Sequence, residues 1–161
     1  MPVEIERKFL VKENPPHISG VEIVQGYLSK DAERTVRVRI EGGGGVTAQA
    51  RAVLTIKGKG LGITRPEYEY DIPVSEAREL LELCIGHLIE KTRYCYRIGE
   101  HVWEVDVFEG RNLGLIVAEI ELGDESEVFE KPGWIGVEVS LDARYANSNL
   151  SKHPYCEWGV G

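Results

Sequence analysis

Cysteine is scarce in this chain, and the little there is follows no pairing pattern. Of 161 residues three are cysteine. Cys84, Cys95 and Cys156 are an odd number with no C-x-x-C spacing, which argues against a disulfide framework and against a structural zinc site. A reducing cytoplasm is the expected compartment. His17, His87, His101 and His153 show no metal-ligand spacing and read as ordinary surface or packed residues. Long apolar runs are missing too. No stretch approaches the roughly 20 residues of a membrane-spanning helix, and the first residues carry no signal-peptide pattern, so a soluble, unprocessed protein with no membrane partner is expected. Positive charge is in deficit: Lys+Arg 19 against Asp+Glu 27 leaves a net charge of −8, a field that repels nucleic acid and anionic membranes. An anionic ligand must therefore be drawn in by a local basic site. Phosphate-loop signatures are also lacking, because neither Gly42-Gly43-Gly44-Gly45 nor Gly58-Lys59-Gly60-Leu61-Gly62 leads into Gly-Lys-Ser/Thr. The glycine run reads instead as a hairpin tip.

What is present is alternation. The length suits one domain, 1–161, with a core of its own. Period-2 patterning bounded by turn residues predicts strands near 3–11, 23–29, 34–41, 48–58, 65–72, 91–98, 102–108 and 115–122. Gly99-Glu100 reads as a tight hairpin, and connections this short favour antiparallel neighbours. Helical spacing begins after Pro73, with Ser75 as a candidate cap and Val74, Ala77, Leu80, Leu81 and Cys84 on one side. Further short helices are expected from Asp124 and near Asp142. Many strands and few helices suggest a mainly β fold, an antiparallel barrel whose closure removes exposed edges.

Nearly every strand carries one charged face. Glu4, Glu6 and Lys8 share a side opposite Ile5, Arg7 and Phe9. Arg37 and Arg39 alternate with Val36, Val38 and Ile40, Lys57 and Lys59 with Ile56, and Glu67 and Glu69 with Tyr68 and Tyr70. Lys91 and Arg93, Glu104 and Asp106, and Glu119 and Glu121 repeat the arrangement. Antiparallel sheets ordinarily solvate such a face and bury the apolar one. The other orientation turns the charges inward around a wet tunnel, where they must be hydrated, mutually paired, or filled by metal and polyanion. Composition alone does not choose between the two.

The order of these elements resembles one family. Glu4-x-Glu6-x-Lys8, Arg37-Val38-Arg39, Lys57 closing Leu54-Thr55-Ile56-Lys57, Arg65-Pro66-Glu67-Tyr68-Glu69, Lys91-Thr92-Arg93-Tyr94, Glu104-Val105-Asp106-Val107-Phe108 and Glu119-Ile120-Glu121 are similar, in that sequence, to the CYTH, or triphosphate tunnel metalloenzyme, family. The resemblance covers nearly the whole chain and implies the inward orientation: an eight-stranded antiparallel closed barrel around a charged tunnel, with a few peripheral helices. Its apolar outside would be covered by those helices and a possible homodimer partner.

By that resemblance Glu4, Glu6, Glu119 and Glu121 would hold a divalent cation, Mg2+ or Mn2+, which suit an all-oxygen site. Lys8, Arg37, Arg39, Lys57, Lys91 and Arg93 would bind the oxygens of a triphosphate-bearing small anion. Lys57 and Tyr27 match a lysine and tyrosine dyad that activates water in some members. A lysine ringed by cations has a lowered pKa, which suits it to act as a base. Glu67, Glu69, Glu104 and Asp106 would bind a second cation, orient water, or pair with the bases. The loop at 58–62 lies beside Lys57, at a mouth of the expected tunnel. Where relatives place an extra lysine or arginine after an Arg-Tyr step, this chain reads Ala146-Asn147-Ser148-Asn149, with Arg144 and Lys152 nearby. The implied function is metal-dependent hydrolysis of a triphosphate, inorganic tripolyphosphate first. Thiamine triphosphatase, nucleoside triphosphatase and class IV adenylyl cyclase are the alternatives within the fold, and a non-catalytic polyphosphate or nucleotide-binding module is the alternative of another class.

Overall fold

The computed structural model describes residues 2–42 and 49–159. Within them lie the strands β1 (Val3–Val11), β2 (Val21–Asp31), β3 (Arg34–Glu41), β4 (Arg51–Gly58), β5 (Thr64–Ile72), β6 (Ile85–Ile98), β7 (His101–Phe108), β8 (Ile116–Glu121) and β9 (Ile135–Glu138), with helices α1 (Val74–Glu82) and α2 (Asn147–Leu150). Every pairing is antiparallel. The order β5-β4-β3-β2-β6-β7-β8-β1 closes on itself through a β1–β5 pairing, and β9 adds to β1 outside that ring. β5 takes the first residues of β1, Val3 to Ile5, and β9 takes its end, Phe9 and Val11. The result is a closed eight-stranded barrel with one extra strand.

Closure gives the alternation an inside and an outside. Residues paired across neighbouring strands share a face, so the register Glu6↔Glu121, Lys8↔Glu119, Glu104↔Glu119, Arg93↔Asp106, Gln25↔Arg39 and Tyr27↔Arg37 puts all of these on one surface. That surface is the interior. Outward residues form two of the three apolar clusters, each under a cover supplied by the chain itself. Phe9, Trp103, Val105, Ala118 and Ile120 pack beneath Phe129, Trp134 and Ile135 of the segment that follows β8. Phe9 and Trp103 meet edge-on at 5.4 Å, and full burial of each side chain contributes about 1.5–3 kcal/mol. Val38, Ile40 and Ala52 pack under Ala77, Leu80 and Leu81 of α1.

The third cluster lies inside the barrel. Ile89, Phe108 and Val117 continue the inward rows of Lys91, Asp106 and Glu119, and they are buried together with Leu115 and Leu150. Leu10 continues the row of Glu4, Glu6 and Lys8, and Tyr145, Tyr155 and Trp158 of the C-terminal segment complete the packing. On β1, β6, β7 and β8 the inner face therefore changes from charged to apolar along the strand. The C-terminal segment closes that side of the barrel end.

Several expected boundaries shift. β2 and β6 run well past the spans predicted for them, and β4 begins at Arg51; position 48, like the glycine run apart from Gly42, falls outside the described residues. Gly99 has φ +63° at the β6–β7 turn, a left-handed backbone that favours glycine. Ser75 does not cap α1: Pro73 occupies the cap position and no side chain bonds the first turn. No helix starts at Asp124, whose carboxylate accepts instead from the Ser126 backbone N–H at 2.8 Å, a local turn that competes with helix. Near Asp142 a 3-10 turn (Ala143–Tyr145) leads into α2, with the Asp142 side chain accepting from Arg144 N. β9 was not expected, because Ile-Gly-Val-Glu is too short to show alternation.

Candidate active site

The interior holds a cavity of ≈ 330 Å3, lined by the expected cation, phosphate and dyad residues Glu4, Glu6, Lys8, Tyr27, Arg37, Arg39, Lys57, Lys91, Arg93, Glu119 and Glu121; Asp106, fully buried behind them, does not line it. Glu67, Glu69 and Glu104 line it as well, with Thr55, Arg65, Ala146, Asn147 and Ser148. A second cavity of ≈ 300 Å3 shares Glu4, Glu6, Lys8, Arg65 and Ala146, and is otherwise walled by Ala32, the 58–63 loop and residues 139–143. The barrel brings the expected groups together from β1, β2, β3, β4, β6 and β8, strands far apart in sequence.

The cations fall into two classes. Lys57, Lys91 and Arg93 are already held by carboxylates. Lys57 Nζ lies 2.6 Å from Glu4 and 3.3 Å from Glu67. Lys91, wholly buried, lies 2.7 Å from Asp106, and Arg93 grips the same carboxylate through Nε at 2.7 Å and Nη2 at 2.9 Å. Burial by itself would raise the Asp106 pKa, but the Lys91 and Arg93 charges outweigh it and hold the carboxyl below its usual range. Arg37 and Arg39 are bonded chiefly to neutral groups. Arg37 donates to the Thr55 hydroxyl at 3.2 Å, and among the described residues its buried Nε has no partner. Arg39 donates from Nε to the Gln25 amide oxygen at 2.8 Å, with Glu41 3.6 Å from its other arm. Burial, then the neighbouring charges of Arg37 and Arg93, pushes Arg39 down to about 10. Two adjacent buried guanidiniums, one with an orphaned donor, are an unfilled requirement for an anion.

The carboxylates show the opposite stress. Burial, the charge of Glu119 and the charge of Glu4 push Glu6 well above the usual carboxyl range. Burial acts on Glu119 in the same sense, but Lys8, 3.9 Å away, and Arg93 hold it well below that range. The carboxyls of Glu6 and Glu119 stand close enough for one, when protonated, to donate to the other, and so do those of Glu4 and Glu67. Burial and the Glu4 contact raise Glu67 to about 7, whereas Glu4, despite its own burial, is brought down to about 2 by the Glu67 hydrogen bond and the Lys57 charge. Among the described residues no three His, Cys, Asp or Glu side chains gather around one point. Glu6 and Glu119 meet as a pair, Glu4 is turned to Lys57, and Glu121 sits across from Glu6 on β8. The donor set is nevertheless all oxygen, and the crowding at Glu6 is what a hard cation relieves.

Two expectations are corrected here. Lys57 is bracketed by the carboxylates of Glu4 and Glu67, so the ring of cations expected to lower its pKa is not its environment. Asn147 takes part in the site, although its stretch carries none of the basic residues sought there. Asn147 Oδ1 accepts from Lys91 Nζ at 3.1 Å and from Gln25 Nε2 at 3.0 Å. Gln25, fully buried, was also missed; its signal was parity, because it stands two residues before Tyr27 on β2 and so shares its face. Arg144 is exposed and pairs with Asp142 rather than reaching the cavity.

A closed antiparallel barrel lined by paired basic and acidic strands defines a class of anion-binding tunnel proteins. The CYTH domain model matches residues 2–155, and the chain belongs to that family. It is 50% identical over 155 residues, 94% of this chain and 95% of the other, to an inorganic triphosphatase of Acetivibrio thermocellus. It is 35% identical over 153 residues, 92% of this chain and 96% of the other, to an inorganic triphosphatase of Nitrosomonas europaea. The crystal structure of the inorganic triphosphatase NE1496 matches with TM-score 0.65 and 33% identity, covering 94% of this chain and 95% of that one.

Proposed function

We propose that this protein hydrolyses a triphosphate, inorganic tripolyphosphate before any other, and that it depends on Mg2+ or Mn2+ to do so. The observation that carries the reading is Arg37: among the described residues its buried Nε has no partner, beside a second buried guanidinium, in a cavity that carboxylates otherwise neutralise. An anion oxygen would satisfy that donor, and the cations lining the same cavity suit an anion with several phosphoryl oxygens. Arg37, Arg39 and Arg93 would grip phosphoryl oxygens in fork geometry, while Lys8, Lys57 and Lys91 would act as point charges. Glu6 and Glu119, with Glu4 and Glu121, would hold the cation. When bound, it supplies charge neutralisation at the terminal phosphoryl group.

Water attacks the terminal phosphorus, a P–O bond forms as the anhydride P–O bond breaks, and phosphate and diphosphate leave. Lys57 and Tyr27 both face the cavity and would handle the proton of that water. Lys57 already donates to Glu4 and Glu67, so it must hand its own proton to one of them before it accepts another. Relatives described as inorganic triphosphatases at 50% and 35% identity support the reaction class. An organic triphosphate is a second reading, favoured by one observation: the second cavity has Ile63, Val139, Leu141 and Ala143 in its wall. The compartment would be the cytoplasm, on the three free cysteines. Homodimerisation stays within the proposal. No helix among the described residues is long and apolar enough to cross a membrane.

The test is phosphate release from tripolyphosphate, thiamine triphosphate and ATP, with Mg2+, Mn2+ or a chelator, and cyclic AMP measured in parallel. Tripolyphosphate turnover that the chelator abolishes is the expected result. Glu6→Gln should lower it by roughly 100-fold or more. The same change should leave thermal stability equal or raised, because it removes the charge that Glu119 and Glu4 oppose. A fully active Glu6→Gln would remove Glu6 from the cation site, and no turnover under any condition would favour a binding module.

A further inference from the structure

The geometry points to Asn147 as a substrate-binding residue, its carboxamide nitrogen donating to a phosphoryl oxygen of the bound triphosphate. The inference rests on the triphosphatase reading and adds to the site a neutral donor from outside the barrel strands. An ammonium can only donate, so the 3.1 Å contact with Lys91 Nζ requires Oδ1 on that side of the amide. The 3.0 Å contact from Gln25 Nε2 ends on the same oxygen. With Oδ1 held twice, the NH2 group is turned the other way, and among the described residues it has no hydrogen-bond acceptor. Asn147 lines the same cavity as Lys8, Arg39, Lys91 and Glu119, so its two N–H groups are free donors beside the anion-binding cations.

The backbone that presents this amide is fixed from both sides. Leu150, three residues on, is fully buried against Ile89, Phe108 and Val117. Tyr145, two residues before it, accepts from Lys8 Nζ at 3.1 Å through its carbonyl. A donor held this rigidly loses little freedom on binding. Gln25 extends the positioning to the guanidinium of Arg39 through its own amide oxygen, at 2.8 Å. Substrate must displace carboxylates from Lys57, Lys91 and Arg93, whereas no protein group has to leave the Asn147 amide nitrogen.

The experiment compares Asn147→Ala and Asn147→Asp with the wild type, by steady-state hydrolysis of tripolyphosphate, by calorimetric binding of tripolyphosphate in chelator, and by thermal melting. Asn147→Ala should raise KM and weaken binding roughly 10- to 100-fold, the loss expected of one hydrogen bond to a charged partner. Asn147→Asp keeps the acceptor for Lys91 and Gln25 but replaces the donor with a negative charge, so it should melt no lower than Asn147→Ala and yet bind tripolyphosphate more weakly still. Asn147→Asp binding within twofold of the wild type would overturn the inference, whatever Asn147→Ala does, because a purely structural role survives that change. Wild type that neither binds nor hydrolyses tripolyphosphate would bring down the triphosphatase reading and this inference with it. Wild-type turnover with unaltered binding in both variants would overturn this inference alone.

Discussion

Asp106 shows how single residues hold the cavity open. Its carboxylate is inaccessible to solvent and takes three contacts, from Lys91 and from two nitrogens of Arg93. Removing its charge strands two buried cations, so Asp106→Asn should cost about 3–5 kcal/mol by denaturant unfolding near neutral pH. The pH dependence has a definite sign. The folded-state pKa lies below the ordinary 3.8, so below that pH the unfolded chain binds more protons and stability falls as pH falls. The gap between wild type and Asp106→Asn should stay constant from roughly pH 5 to 8 and narrow at lower pH. A gap unchanged at pH 3 would show that folding does not lower the Asp106 pKa. The parity rule placed Asp106 on the charged face, but nothing in the sequence distinguished this fully buried pair from the more exposed Glu104 two residues earlier.

At the scale of elements, α2 does more than its four residues suggest. It seats Leu150 in the apolar cluster inside the barrel and presents Asn147 to the cavity three residues earlier. Leu150→Ala should therefore destabilise the protein by about 2–5 kcal/mol, and it should also raise KM for tripolyphosphate, since α2 loses its anchor. Denaturant melts and steady-state kinetics check the two halves together; a lost core contact with unchanged KM would uncouple α2 from the site. Strands were far more legible than this segment. β1, β3, β5 and β7 followed alternation closely, because a strand buried on one side and charged on the other writes its period into the sequence. Neither α2, too short for helical periodicity, nor β9 with its glycine has such a record.

The whole molecule is acidic, −8 overall, yet it encloses a cluster of cations. Substrate binding should give the Arg37 Nε an acceptor and tighten the barrel as a unit. Tripolyphosphate with Mg2+ at about 100 times its Kd should stabilise the folded state by about 2.7 kcal/mol, a rise of roughly 5–10 °C in Tm for a chain of this size. Arg37→Ala should abolish most of that rise while leaving the unliganded Tm largely in place, since the side chain donates to Thr55 alone. A wild-type Tm indifferent to tripolyphosphate would contradict the anion site.

Sequence by itself determined the strand content, the rows of charge on alternate residues, and, through the order of those motifs, the family and its barrel. It determined these because alternation is local: each strand states which residues share a face. Alternation by itself did not say which face is inside, although the family resemblance implied the charged one. That follows from closure, since the β1–β5 pairing makes one surface concave and wraps every charged row around a common space. Only the tertiary structure decided which charges pair. Lys57 went to Glu4 and Glu67, Lys91 and Arg93 to Asp106, and Arg37 was left with an unmet donor. Those partnerships depend on register and side-chain reach between strands distant in sequence, as does the arrival of Asn147 beside Lys91 from the far end of the chain.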